Sequence, residues 1–317
     1  MELTVLGELL IDFTQAGESE NGMRLFEQNP GGAVANVAAA AARLGHQAAF
    51  IGKVGKDMHG RFLAQTLADT GIDCRGLVFS DVAFTTLAFV ALDEKGERSF
   101  SFARKPGADT CLAAEELDKG LLRSSKILHV GSLSLTAEPA RSATLAAIRQ
   151  AKAAGAVISY DPNYRASLWE SEAQAMEQMR SLLPMVDMMK LSDNETALLT
   201  GYSSPEQAAL ALNRQGISCV AVTMGAAGAL VCVAGETQMV PGFSVPTVRD
   251  TTGAGDAFWG GFLSRFLESG LKAEEIRLSD GVEFARWGSA AAACCIQKRG
   301  AIPAMPDRAE LLRRLQY

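Results

Sequence analysis

Residues 29–54 read NPGGAVANVAAAAARLGHQAAFIGKV, and one unit of the fold can be read directly from them. Asn29-Pro30-Gly31-Gly32 suits a tight turn, or backbone that must approach a ligand closely. From Ala33 to Leu44 the residues are small, apolar and helix-favouring. Gly45 then stands where a helix commonly ends. The next segment, Ala48–Val54, is a short apolar run of strand length. The same unit recurs along the chain. Further strands are expected at Leu3–Phe13, Lys126–Leu135, Ala156–Asp161, Met188–Leu191 and Cys219–Met224. Helices are expected at Gly60–Asp69, Pro139–Ala154, Glu170–Leu183, Pro205–Gln215, Gly255–Ser269 and Gly281–Ile296, with Gly71, Gly155, Gly216 and Gly270 as further stops. Such alternation predicts an α/β fold, a mainly parallel sheet covered by helices on both faces.

One stretch breaks the rhythm. Thr85–Asp93 and Glu97–Arg104 read as two strands around the turn Asp93-Glu94-Lys95-Gly96. They form either a hairpin on the sheet edge or a small β lid that also uses residues 14–29. The lid is the preferred expectation, because α/β enzymes that exclude water carry such insertions. Phe84, Phe89, Phe100 and Phe102 give the hairpin more aromatic surface than two strands can bury, so a homodimer through the lid is expected. Val231–Val240, around Gly235-Glu236, reads as a second hairpin near the end of the sheet.

Composition excludes several classes of function. The 317 residues fit two average domains or one large α/β domain. Lys and Arg number 30 against 36 Asp and Glu, a net charge of −6, so no bulk basic field is present to hold nucleic acid or an anionic membrane. At 48% hydrophobic and 21% charged, the chain is neither disordered, collagenous nor a coiled coil. No apolar run is long enough for a membrane span, and the opening MELTVLGELLIDF lacks the marks of an export signal. The six cysteines form no Cys-x-x-Cys pair and are expected reduced, in a cytoplasmic setting. His46, His59 and His129 make no zinc-ligand spacing.

The chemistry is expected at Asp250-Thr251-Thr252-Gly253-Ala254-Gly255-Asp256. Small residues before a helix leave backbone N–H groups open, with the positive helix end behind them, which suits phosphoryl oxygens. Asp256, in the first helical turn, is either a cap or a carboxylate that takes a proton from an attacking hydroxyl. Asn36 lies one turn into its helix, where an amide could bond sugar hydroxyls. Asp12 is a polar residue at the end of the first strand, where open α/β sheets bind ligands. The loop Asp161-Pro162-Asn163-Tyr164-Arg165 follows another strand in a similar position.

Together these pieces resemble the ribokinase-like (PfkB) family of carbohydrate kinases over nearly the whole chain. The first signature is Gly31-Gly32, Asn36, Ala41-Ala42-Arg43-Leu44-Gly45, Ile51-Gly52-Lys53-Val54-Gly55-Lys56-Asp57 and Gly60. The second runs from Asp250 to Phe258. The resemblance implies one domain over 1–317, a three-layer sandwich with lid segments near 14–29 and 84–105. It implies Asp256 as catalytic base and Gly253, Ala254 and Gly255 as an anion hole. Asp12, Gly31, Gly32 and Asn36 would bind the sugar. Thr223, Gly225 and Gly228 would bind ATP. The family's Asn-x-x-Glu motif, which organises Mg²⁺ and phosphate, falls on Ser192-Asp193-Asn194-Glu195, with Ser192 in place of Asn. Asp250 and Thr252 would hold a monovalent cation such as K⁺.

Within the family, residues 102–109, 129–135 and 161–169 lean toward fructokinases, which implies phosphorylation of the primary hydroxyl of a ketose. Arg104 and Arg165 could reach sugar or phosphate, or pair at the surface. The 2-keto-3-deoxygluconate kinases share the Asp-Pro-Asn-x-Arg loop and are the alternative, ahead of ribokinase and nucleoside kinases. A Rossmann dehydrogenase would need Gly-x-Gly-x-x-Gly after the first strand, and a P-loop kinase Gly-x4-Gly-Lys-Ser/Thr; neither motif is present. A non-enzymatic sugar sensor would be expected to lose the base or the glycines, and both remain.

Overall fold

Alanine governs the packing of the helix Ala33–Arg43, in which every residue from Val34 to Ala41 is buried. Side chains this small let a second helix, Ala254–Ser269, approach closely. At the crossing is Gly260, where any Cβ would overlap that of Ala40. The two helices are thereby locked side by side, first turn near first turn.

The computed structural model describes residues 1–92 and 98–316. Its strands are β1 (Leu3–Leu6), β2 (Leu10–Glu18), β3 (Arg24–Gly31), β4 (Ala48–Gly55), β5 (Asp73–Ser80), β6 (Leu87–Leu92), β7 (Arg98–Ala103), β8 (Ile127–Val130), β9 (Val157–Tyr160), β10 (Met188–Ser192), β11 (Cys219–Thr223), β12 (Ala229–Val233) and β13 (Glu236–Val240). Nine form one sheet in the order β13-β12-β11-β10-β9-β8-β1-β4-β5. From β11 to β5 all neighbours are parallel; β12 and β13 form the expected antiparallel hairpin at the end. Leu3 and Val5 enter the core on one face of this sheet and Leu6 that on the other. Burial on both faces explains why the strands read as continuous apolar runs. Among the described residues no helix is long and apolar enough to cross a membrane.

The remaining strands form a separate sheet, in the order β3-β2-β6-β7. It uses the residues expected for the lid, although the turn Asp93–Gly96 lies outside the described residues. Period-two alternation divides it. Leu10, Asp12, Thr14, Val90 and Phe102 face a cavity, while Phe13, Phe26 and Phe89 pack together on the other side, Phe13 stacked on Phe89 at 5.2 Å. Phe102 is therefore not part of the outer aromatic face, contrary to expectation. The side chain of Phe100 lies outside the described set.

The expected strand Leu3–Phe13 is in fact two strands, one in each sheet. The break falls at Gly7-Glu8-Leu9. A side chain at Gly7 would strike Val34, and the Glu8 carboxylate accepts the Ala33 N–H at 2.7 Å. Asp12 thus lies within the second sheet rather than at the end of a central strand. Likewise Lys126–Leu135 is strand only to Val130, with a 3₁₀ turn at Leu133–Leu135.

A clamp joins the two sheets. Asp57 caps the helix Met58–Asp69 by accepting the Gly60 N–H at 2.8 Å. The same carboxylate accepts the Thr85 N–H at 2.8 Å and its hydroxyl at 2.9 Å, just before β6 begins. A Cβ at Gly55 would overlap the Asp57 carboxylate and the Thr85 amide, and one at Gly60 the Gly55 carbonyl.

Gly→Ala within a helix normally stabilises by about 1 kcal/mol. At position 260 the clash with Ala40 should reverse the sign, so Gly260→Ala is expected to lose about 1–3 kcal/mol in denaturant unfolding. A gain in stability would show that the two helices are not in direct backbone contact.

Candidate active site

The first turns of the two locked helices, the C-terminal ends of β10 and β11, and the inner face of the four-stranded sheet enclose a cleft of about 360 Å³. That is the usual size of a small-molecule site. The deepest polar contact within it joins distant parts of the chain: Asn36 donates its side-chain N–H to Asp256 Oδ2 at 2.7 Å, both residues buried.

Asp256 stands in the first turn of Ala254–Ser269, preceded by Gly253 at φ +75°, a conformation that excludes most side chains. The Ala254 N–H turns back to the Thr251 carbonyl at 3.2 Å. The following amides belong to a helix start, where no intrahelical acceptor exists. Burial pushes the Asp256 carboxyl up to about 6, and Asp161 pushes the same way; Lys190, the Asn36 amide and Arg165 pull it down. The outcome is a carboxylate still ionised at neutral pH and basic enough to accept a proton.

Gly32 has φ +119°, and a Cβ there would meet the Glu8 carbonyl, so Ala33 and Asn36 sit directly behind bare backbone. Gly31 lies against Asp12, whose carboxylate would overlap any side chain at 31. At the other end Glu195 is held on both oxygens. Oε1 accepts the Tyr164 N–H at 2.7 Å, and Oε2 accepts the Ser192 N–H and hydroxyl at 2.7 and 2.8 Å. Ser192 thus serves Glu195 rather than facing the cleft alone.

Asp12, Gly32, Asn36, Arg165, Ser192, Glu195, Thr223, Thr252 and the Gly253–Asp256 turn all line the cleft. Gly31 and Asp250 stand behind it. Asp250 accepts the Thr252 N–H at 2.9 Å and hydroxyl at 2.7 Å on one oxygen and the Gly300 N–H at 3.0 Å on the other. Gly225 and Gly228 form the turn after β11, and Gly228 packs so tightly on Val240 that no Cβ fits. Arg104 does not reach the cleft. It is buried and binds Asp109 Oδ2 at 2.6 Å, the Thr136 hydroxyl at 2.8 Å and the Leu133 carbonyl at 2.9 Å, so its fork is spent on internal bracing. Arg165 is exposed at the rim, with Nη1 on the Tyr164 carbonyl at 3.0 Å.

Two cleft residues escape the motif reading. Lys190 is buried in β10 and paired with buried Asp161 at 2.8 Å. Glu8, its carboxyl pushed up by burial to about 7, holds the helix start at Ala33. The signal for Lys190 is a lone cation inside the apolar run Met188–Leu191; Glu8 lies at the unforeseen break between β1 and β2.

The fold and cleft define a kinase of the ribokinase type, with a helix start of open backbone amides beside a buried carboxylate. Comparison with known proteins agrees: the pfkB family carbohydrate kinase model matches residues 1–308, and the chain belongs to that family. It is 44% identical to fructokinase-1 of Zea mays over 99% of this chain and 98% of that protein. Fructokinase from Vibrio cholerae O395, solved with fructose, ADP and calcium ion, shares 37% identity and superposes with a TM-score of 0.89 over 99% of both chains. Fructokinase from Xylella fastidiosa with bound ATP shares 33% identity, with a TM-score of 0.88 over 99% of this chain and 98% of that one.

Asp256→Asn keeps the shape and removes the base, so kcat should fall about 100-fold or more while sugar binding in calorimetry persists. A base at this position would act ionised, so kcat/KM should hold above the Asp256 pKa of about 6 and fall as pH drops through it. Asn36→Ala removes a bond to the charged form and should move that acidic limb to higher pH. A limb unmoved by both substitutions would assign the base elsewhere.

Proposed function

We propose that this chain is a fructokinase that transfers the γ-phosphoryl group of ATP to the primary hydroxyl of D-fructose. The observation that carries this is the buried Asp256 carboxylate, fixed by Asn36 at the start of an anion-binding helix and facing Asp12 across the cleft. In the reaction the hydroxyl oxygen bonds to the γ-phosphorus and its proton passes to Asp256. The bond from that phosphorus to ADP breaks, and its electron pair leaves on ADP. Asp12, Asn36 and the backbone at Gly31 and Gly32 hold the sugar hydroxyls. Thr223 and the turn containing Gly225 and Gly228 take the nucleotide.

ATP requires a divalent ion to spread its charge, and Mg²⁺ fits here in an outer position. Among the described residues no cluster of three acidic, His or Cys side chains could cage a metal. Glu195 has both oxygens engaged by protein, so Mg²⁺ would keep its waters and bind the phosphates, with Glu195 one shell away. Asp250 and Thr252 would offer oxygens to K⁺.

The neutral ketose is favoured over 2-keto-3-deoxygluconate because Arg104 is consumed by Asp109. Among the described residues the cleft's rim cation is Arg165, which acts on Asp256, at the phosphoryl end. The four-stranded sheet is a lid, hinged on the Asp57 clamp. Its outer face exposes Phe26 at 40% and Phe89 at 38%, a surface suited to a second copy of the chain. The six cysteines are all free, which suits the reducing cytoplasm.

In a comparison of fructose, 2-keto-3-deoxygluconate, ribose and adenosine, kcat/KM for fructose should lead by at least about tenfold, equivalent to about 1.4 kcal/mol. A lead for the keto acid that vanishes in Arg165→Ala would install the alternative. Light scattering at micromolar protein should report a dimer, and Phe89→Asp should yield monomers. A monomeric wild type would refute the pairing while leaving the lid intact.

A further inference from the structure

We propose that Lys190 is a catalytic residue whose ammonium group contacts the transferring phosphoryl group, completing from below the anion site that the Gly253–Gly255 turn opens from above. This rests on the phosphoryl-transfer reading and goes beyond it, since neither signature contains Lys190.

The placement is unusual for a lysine. Met188, Met189 and Leu191, its neighbours in β10, are wholly buried, and the lysine itself is 6% exposed. Its Nζ donates to Asp161 Oδ2 at 2.8 Å, while an ammonium has three N–H donors. Nζ also lies 2.9 Å from the position a Cβ would take at residue 255. A side chain there would press on the ammonium, so Gly255 keeps open the space between the cation and the helix start.

Stability alone does not account for this pair. A buried ion pair can commonly be replaced by apolar residues at no loss, and β10 is otherwise apolar. The charge balance of the cleft does account for it. Asp161, Glu195 and Asp256 are all buried around the lysine, and each acts on it electrostatically. A phosphoryl group arriving there would meet three carboxylates. Of the two cations that line the cleft among the described residues, Arg165 is exposed at the rim, whereas Lys190 is fixed on the floor beside Asp256. A preorganised charge in a water-poor site stabilises charge in the transition state most effectively. In the step itself the sugar oxygen–phosphorus bond forms, the proton goes to Asp256, and the phosphorus–ADP bond breaks. Lys190 neither gives nor takes a proton; it holds the non-bridging phosphoryl oxygens.

The test compares wild type with Lys190→Met and with the double variant Asp161→Asn/Lys190→Met, which leaves no orphaned carboxylate. Lys190→Met should lower kcat for fructose with ATP by about 100-fold or more. Calorimetry should show fructose affinity within about threefold of wild type, with affinity for ADP–aluminium fluoride in the presence of fructose falling far more than that for a non-hydrolysable ATP analogue. The double variant should regain thermal stability but not turnover. Asp256, facing Asn36, Asp161 and Arg165 besides the lysine, would be harder to ionise without it, so the rate is also read at alkaline pH and should stay low. Unchanged affinity for the aluminium fluoride complex, recovery in the double variant, or recovery at alkaline pH would each overturn the proposal. The last two would reduce the lysine to a partner of Asp161 or a tuner of Asp256. A wild type that turns over no fructose would overturn the fructokinase reading and this proposal with it, whereas an active wild type with an equally active Lys190→Met would overturn this proposal alone.

Discussion

The hydrogen bond from Asn36 to Asp256, 2.7 Å long and spanning 220 residues of sequence, depends on how closely two helices can pack. Ala40 and Gly260 leave no side-chain volume between their axes, and a methylene added at such a crossing must be absorbed by movement of the backbone. The first turns of both helices are therefore held as one body. One turn presents Asn36 behind the bare backbone of Gly32; the other presents Asp256 behind that of Gly253. A sugar lying on the first and a phosphate on the second would be in register because the helices are. The Ala-rich and Gly-rich signatures are thus packing instructions as much as binding motifs.

The layered sheet was legible because its strands are buried on both faces and its helices end at glycine, so local pattern and global fold agree. The second sheet was harder. Leu3–Phe13 is apolar throughout, and nothing in its periodicity marks the point at which the chain leaves one sheet for another. The break is set by tertiary contact: Gly7 against Val34, and the Glu8 carboxylate on the Ala33 amide. Asp12 is polar and out of place in an apolar run, but its position on the inner face of the four-stranded sheet follows only from that break. The end of the first signature has a similar lesson. Gly55, Asp57 and Gly60 touch no part of the cleft; their carboxylate and bare backbone grip Thr85, where the chain enters the lid. Arg104 looked like a ligand because its neighbours resemble those of fructokinases, yet Asp109, five residues on, takes its guanidinium. A buried partner that close in sequence was visible in the letters, but whether it pairs depends on the turn between them.

The cleft's electrostatics follow from burial acting on a few carboxylates. Glu8, Asp161, Glu195 and Asp256 are all removed from water, and each needs compensation. Glu195 takes two backbone amides and a hydroxyl; Asp161 takes Lys190; Glu8 takes the Ala33 amide on one oxygen, leaving the other without a hydrogen-bond partner. Asp256 has the Asn36 amide on Oδ2. The least compensated groups, Glu8 and Asp256, are pushed up by burial, to about 7 and about 6. Glu195, held on both oxygens, lies at the β10–β11 end of the cleft.

As the proposed base, Asp256 would work between two opposing demands. A carboxylate in water is too weak a base to draw a proton from a sugar hydroxyl efficiently, and one buried without partners would be protonated and idle at neutral pH. Burial and the Asp161 charge raise its basicity, while Asn36, Lys190 and Arg165 limit the rise. The compensating groups come from a helix, a central strand and a loop, so no short motif could encode the balance. It exists only when the helix crossing, the floor of the sheet and the loop after β9 meet around one carboxyl group.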